Sequence, residues 1–207
     1  MPVTAFLFIV AIHLLAAMSP GPSFVVCLRV AVRDGFATAV ALAVGFGLGA
    51  ALWATAALAG IAVLFELVPA LYAAFKLVGA AFLIWIAIKL WRQAPTPMDL
   101  HAEKGDHAAR LTTYQAMRFG FLTFATNPKP AVFFGAVFVG LVPPGTPMPW
   151  LLAIVAAVFV NETLWYILVA RVFSLPRART AYIRLKSGID RCFAGFLTFF
   201  GLKIALG

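Results

Sequence analysis

The sequence predicts an all-α polytopic membrane protein, with six transmembrane helices in two inverted three-helix repeats and breaks in helices 1 and 4. Three observations carry this expectation. Of the 207 residues, 64% are apolar and 11% charged, with a mean hydropathy of +1.01. Soluble domains are about half apolar and about a quarter charged, so a soluble globular enzyme and a disordered chain are both excluded. The apolar residues gather in six runs, and a span needs roughly 20 of them. Finally, the pattern polar–Pro–any–Pro occurs in the first run as Ser19-Pro20-Gly21-Pro22 and in the fourth as Asn127-Pro128-Lys129-Pro130.

The first run extends from Val3 to Leu28 and stops at Arg29 and Arg33. No Lys or Arg precedes it, whereas a cleavable signal peptide wants a basic start, so a permanent span is expected. The second, Phe36 to Phe65, is closed by Glu66 and Pro69, and the third, Leu71 to Ile88, contains Lys76 and ends at Lys89 and Arg92. A polar segment, Gln93 to Gln115, separates these from the fourth run, which begins after Arg118 and reaches Val142. The turn Pro143-Pro144-Gly145-Thr146-Pro147 leads into the fifth, Trp150 to Ala170. A basic segment, Arg171 to Arg191, precedes a short sixth, Cys192 to Leu206. Length and the dominance of Phe, Leu, Val and Ala favour helices over barrel strands. The expected units are residues 1–92, a first three-helix repeat; 93–117, a cytoplasmic linker loop; and 118–207, the second repeat.

The formal net charge of +9 suggests nucleic acid in a soluble protein. Here it is sided. Arg29 and Arg33 follow span 1; Lys89, Arg92, Lys104, Arg110 and Arg118 follow span 3; Arg171, Arg177, Arg179, Arg184, Lys186 and Arg191 follow span 5. Only Lys76 and Lys203 lie towards the other side. The positive-inside rule then places loops 1, 3 and 5 in the cytoplasm and both termini outside. No nucleic acid partner is expected; the lipid bilayer is, with anionic headgroups adding to the bias around Arg177 to Lys186.

The matched Pro motifs point to a site. Each Pro lacks an N–H and clashes with the carbonyl one turn back, and hydrocarbon cannot satisfy the groups so freed. Such a break persists only within protein or beside a wet cavity. Three spans per half make the second half inverted, and inverted repeats with broken helices at the midplane build many secondary transporters. The plainer reading is a pair of packed kinks at Pro20, Pro22, Pro128 and Pro130. Depth sharpens the choice: at about 1.5 Å per residue, Lys129 lies roughly 16 Å from the edge marked by Arg118. On the same rise Glu162 lies roughly 13 Å from Arg171 and Gly21 roughly 12 Å from Arg29. In a core about 30 Å thick, all three are near the middle. A charge there costs about 2.5–3.5 kcal/mol on insertion scales, so Lys129 and Glu162 should face the bundle interior. Two readings compete. Either they pair and pin helix 4 to helix 5, or Lys129 and the half-helix N-termini attract a carboxylate while Glu162 takes an amine or a coupling proton. Ser19, Ser23, Asn127 and Asn161 would supply neutral hydrogen bonds, with Gly21 beside them.

Other features read more simply. Ala41, Gly45 and Gly49 make a small-residue face for close helix packing. His13, well outward in span 1, reads as a satisfied polar residue, with a relay as the weaker alternative. Trp91, Trp150, Trp165 and Tyr166 read mostly as interface belt or core, with a cavity-lining place as the alternative for Trp165 and Tyr166. Cys27 and Cys192 lack any CxxC pairing and read as buried thiols. Asp99, His101, Glu103, Asp106 and His107 have metal-ligand chemistry, but at spacings that match no site, so a solvated loop is expected. No metal, no cofactor and no enzyme are expected.

The two motifs also carry a likeness. Ser19-Pro20-Gly21-Pro22, the basic loop Arg29 to Gly35 and the Gly-rich span from Gly45 resemble the N-terminal signature of the lysine exporter family (LysE/RhtB type). Arg118-Phe119-Gly120-Phe121-Leu122-Thr123, then Asn127-Pro128-Lys129 and Phe133-Phe134, resemble its second signature. The likeness covers nearly the whole chain. Ser23 stands where the family commonly has Asn, and Pro130 where Ala is more usual. The resemblance implies an inner-membrane exporter of amino acids or their derivatives, driven by an ion gradient, with protons first in line, and often a homodimer. The alternatives are an exporter of a metal or inorganic ion on a related fold, which would want more intramembrane thiols or carboxylates, and a scaffold subunit that transports nothing.

Overall fold

The computed structural model describes residues 1–19, 21–67, 77, 80–81, 84–85, 87–96, 110–138, 141–143 and 145–206. Pro20, Lys76, most of the third apolar run and the Asp99–His107 cluster lie outside the described residues.

The first run folds as two helices. α1 (Val3–Met18) stops at Ser19, whose backbone is extended, and α2 (Pro22–Arg33) starts from the extended Gly21 with Pro22 in its first turn. Pro is tolerated there because a first-turn N–H has no helical partner anyway. The two axes are bent by 63°. Gly35, at φ +93°, then turns the chain into α3 (Phe36–Leu67), a single apolar helix. Residues 87–93 form the helical stretch α4.

α5 (Thr113–Ala125) begins inside the segment read as linker, because Thr112 and Gln115 make a capping box. The Thr112 hydroxyl accepts from the Gln115 N–H at 3.3 Å, and the Gln115 side chain accepts from the Thr112 N–H at 3.0 Å. After the break at Asn127, α6 (Pro128–Val132) runs directly into a π-helical segment, Phe133–Phe138. α7 (Met148–Phe173) follows the turn at Gly145, φ +71°. α8 (Pro176–Leu206) follows after only Ser174 and Leu175. The basic segment expected as a loop before span 6 is therefore the first half of this helix. Tyr182, Lys186, Asp190, Ala194, Leu197 and Gly201 form its buried stripe, while Arg177, Arg184 and Arg191 are exposed. A spacing of three to four residues makes one helical face. Cys192 falls off that stripe and is exposed, against expectation, whereas Cys27 is buried.

α3 lies between α5 and α7. A side-chain carbon on Gly45 would strike the Met117 carbonyl, and one on Gly120 the Leu42 carbonyl, so the α3 and α5 backbones nearly touch. Gly49 meets Phe124 on the same side, and Gly47 faces Thr163 and Phe159 of α7. The small-residue face anticipated at Ala41, Gly45 and Gly49 is thus a packing face. Phe46, between these glycines, is buried 4.7 Å from Tyr166 of α7 and 6.2 Å from Phe124 of α5, centroid to centroid.

By length and composition, Phe36–Gly60 and Met148–Phe173 can each cross a bilayer, and the bent α1–α2 pair makes a third candidate. The ends that carry most of the basic residues meet. The Asp34 carboxylate accepts from the Leu111 N–H at 3.4 Å, Arg171 lies over the Phe36 ring at 5.7 Å, and Lys186 donates to the Gln93 carbonyl at 3.2 Å.

Candidate functional site

The two helix breaks face one another, and the side chains at them are joined. At the end of α1 the last carbonyls have no partner within the helix, a general property of helix C-termini. Lys129, from the first turn of α6, reaches across and donates to the Ser19 carbonyl at 2.6 Å and the Ala16 carbonyl at 3.3 Å. A cation at the negative end of a helix dipole is favourable. The Lys129 stem passes within 3.4 Å of where a Gly21 side-chain carbon would sit, so Gly21 leaves room for it.

Asn127 ties the breaks together. Its side-chain oxygen accepts from the Lys129 backbone N–H at 3.0 Å, and its amide donates to the Ser23 hydroxyl at 3.2 Å. Pro128 and Pro130 have no N–H, so this cap satisfies the one donor left in the first turn of α6. The expectation that both half-helix N-termini attract an anion is corrected here. At α6 the prolines remove the donors and Asn127 occupies the remaining one. At α2, Pro22 likewise has none, which leaves the Ser23 N–H as the first donor of that turn.

Glu162, buried in α7, does not pair with Lys129. Its Oε2 lies 3.6 Å from Nε2 of His13 in α1. The alternative in which Lys129 and Glu162 pin helix 4 to helix 5 is not what is seen: each has its own partner on α1. Together they line a pocket with His13, Gly21, Ser23, Asn127, Pro130 and Tyr166, closed on one side by Phe133 and Phe134 of the π-helical segment. The cavity itself holds about 40 Å³, well short of the roughly 300–1,000 Å³ usual for small-molecule sites, so the side chains are drawn in around it and must part to admit a substrate.

Of the residues singled out in the sequence, Gly21, Ser23, Asn127, Lys129, Pro130 and Glu162 converge on this pocket. Ser19 is buried beside it, contributing its carbonyl to Lys129, with a hydroxyl that has no partner. Asn161 does not line it; its amide donates to the Val10 carbonyl at 3.0 Å and fixes the register of α7 on α1. Pro22 is exposed, and Pro128 opens α6.

His13 was read as outward and incidental, and it is central. Depth counted along a straight helix misplaced it, because the 63° bend and the α1–α7 register decide what it meets. The usable signal was its ionisable side chain inside a span, which by itself marks a candidate site. Tyr166, expected as belt or core with a cavity-lining place as the alternative, lines the pocket. The π-helical turn gave no sequence signal beyond its place after two prolines. Such turns recur at functional sites because they re-aim side chains within a helix.

Comparison with known proteins identifies a family. The sequence model of the family described as LysE type translocator matches residues 14–207. The threonine efflux protein of Escherichia coli (strain K12) is 29% identical, over 97% of each chain. The threonine efflux protein of Salmonella typhimurium (strain LT2) is 28% identical, again over 97% of each. The homoserine/homoserine lactone efflux protein of the same strain is 28% identical over 64% of this chain and 62% of its own. No solved structure matches. A translocator family, apolar helices of spanning length and a polar pocket between two broken helices describe a multi-pass membrane transport protein and not an enzyme: the chain belongs to the LysE type translocator family.

Proposed function

We propose that the protein is a secondary transporter that exports amino acids or their derivatives across the bacterial inner membrane, coupled to a proton gradient. The observation that carries this reading is that a half-buried cation, Lys129 at one helix break, and a buried carboxylate, Glu162 of α7, line one pocket. An ammonium has three N–H donors, and Lys129 uses two on α1 carbonyls. The third is left for a substrate carboxylate, assisted by the Ser23 N–H at the start of α2. The Glu162 carboxylate then receives the substrate's ammonium, and Ser19, Ser23 and Asn127 offer hydroxyl and amide groups to its side chain. A zwitterion is matched end to end.

The breaks supply the motion. Residues 1–92 and 118–207 act as inverted three-helix repeats with six spans in all, rocking about the joint between Lys129 and the end of α1. The gathering of basic ends on one face supports cytoplasmic loops 1, 3 and 5, with both termini outside. A homodimer is the expected assembly. The relatives' names put threonine and homoserine first among substrates.

The test is counterflow in proteoliposomes with a panel of amino acids, repeated under an imposed pH gradient. Export predicts saturable exchange of a small set of amino acids and acceleration by the gradient. Flux of none of them would return the protein to the scaffold reading, and flux of a metal or inorganic ion alone would favour that alternative.

A further inference from the structure

His13 is 2% exposed, yet it lies inside a bundle that offers its imidazole little. Its Nδ1 has no hydrogen-bond partner. Its ring is flanked by Phe133 and Phe134, at centroid distances of 5.9 and 5.6 Å. Leaving a buried polar atom unsatisfied costs about 1–3 kcal/mol, so packing alone does not account for a histidine here. Nε2 faces Glu162 Oε2 at 3.6 Å, beyond the 2.7–3.2 Å of a formed N–H···O bond. The two groups are a small movement away from sharing a proton.

We propose that His13 is the coupling residue of the exporter, delivering the proton that replaces the substrate's ammonium on Glu162. The inference rests on the proton-coupled reading above. While substrate is bound, its ammonium neutralises Glu162. When it leaves, a bare carboxylate in a dry interior is strongly disfavoured. The Nε2–H bond of a protonated His13 then breaks and an O–H bond forms on Glu162. The imidazolium becomes neutral imidazole, the carboxylate becomes the acid, and the pair's total charge is unchanged. The neutral imidazole keeps its proton on Nδ1, so Nε2, which now carries the lone pair, takes up the next proton once the pocket opens to the side where protons are in excess. One positive charge therefore occupies Glu162 in each half-cycle, either ammonium or proton, and antiport follows.

The neighbouring elements offer few competitors. α7 contributes Glu162 and Tyr166 to the pocket, α6 contributes Lys129, already held by the α1 carbonyls, and the π-helical segment contributes only phenylalanines.

The experiment compares His13→Gln with wild type in proteoliposomes, using threonine as the probe. Counterflow at equal pH needs no net proton movement, whereas accumulation under a pH gradient does. The ratio of gradient-driven accumulation to counterflow should fall on the order of 100-fold, the low end of what a positioned proton-transfer group contributes. Tyr166→Phe should leave that ratio at the wild-type value, whatever it does to either rate. If His13→Gln fails to fold, judged by detergent gel filtration, His13→Asn carries the same test. An unchanged ratio in the histidine variant overturns the assignment, as does a parallel loss of both rates, which is the mark of a structural residue. Wild type that exchanges threonine but ignores the gradient overturns proton coupling, and the role of His13 with it. Should wild type move another amino acid of the panel but not threonine, that amino acid is the probe; wild type that moves none of the panel overturns the export reading itself, and this assignment falls too.

Discussion

Lys129 performs two tasks, and the geometry separates them from those of Glu162. Its ammonium satisfies the Ser19 and Ala16 carbonyls, which would otherwise be orphaned where α1 ends. Lys129→Met keeps the stem but leaves those carbonyls without a donor, at about 1–3 kcal/mol for each that stays unsatisfied. It should therefore abolish efflux and also lower the melting temperature in detergent. Glu162→Gln removes a charge and keeps the shape, so it should abolish threonine counterflow at wild-type membrane levels and near wild-type melting. Normal counterflow in that variant would remove Glu162 from the site. Both residues stood out in the sequence because charged side chains are rare inside spans. Which partner each would choose was not legible, because both partners lie on a helix more than a hundred residues away along the chain.

Among elements, the contact of α3 with α5 and the anchoring of α8 can be tested independently. Gly45 has no room for a side chain, so Gly45→Leu should separate the two helices and cost at least the 1–3 kcal/mol typical of overpacking. Gly60, with nothing nearby, is the control: Gly60→Ala should be neutral or raise stability by about 0.4–1 kcal/mol, since glycine weakens a helix. Thermal unfolding in detergent reads both. In α8, Lys186 Nζ donates to Asp190 at 2.7 Å, and Asp190 is 1% exposed. Beside the pair, Tyr182 packs against Phe173 at 4.8 Å and Phe24 at 5.3 Å, so this patch joins α8 to α2 and α7. Lys186→Met strands a buried carboxylate and should cost about 3–5 kcal/mol, whereas removing both charges together should recover most of the loss. The small-residue face of α3 was readable in the sequence because it is local; the capping box at Thr112 is equally local but lay in the segment read as linker. The helical character of Arg177 to Arg191 was overlooked: its charges read as loop, although its apolar and paired residues recur at helical spacing.

For the whole molecule, the sequence determined the medium and the place of the two breaks. Composition demanded a bilayer, the repeated polar–Pro–any–Pro pattern located both breaks, and the siting of Lys and Arg is the basis for the proposed orientation. Orientation is open to direct measurement. With Cys27 and Cys192 replaced by Ser, a cysteine introduced at Thr146 should react with a membrane-impermeant maleimide in intact cells, while one at Arg110 should react only after lysis. The reverse pattern would invert the topology. The pocket itself was decided only by tertiary structure. Periodicity and depth arithmetic run along one helix at a time, so they place Lys129, Glu162 and Gly21 at similar heights without saying what faces what. The bend between α1 and α2, the register fixed where Asn161 meets Val10, and the π-helical turn after Pro130 turn those heights into contacts. They direct Lys129 to the end of α1 and set His13 against Glu162. Such pairings depend on side-chain direction across helices distant in the chain, which no local pattern encodes.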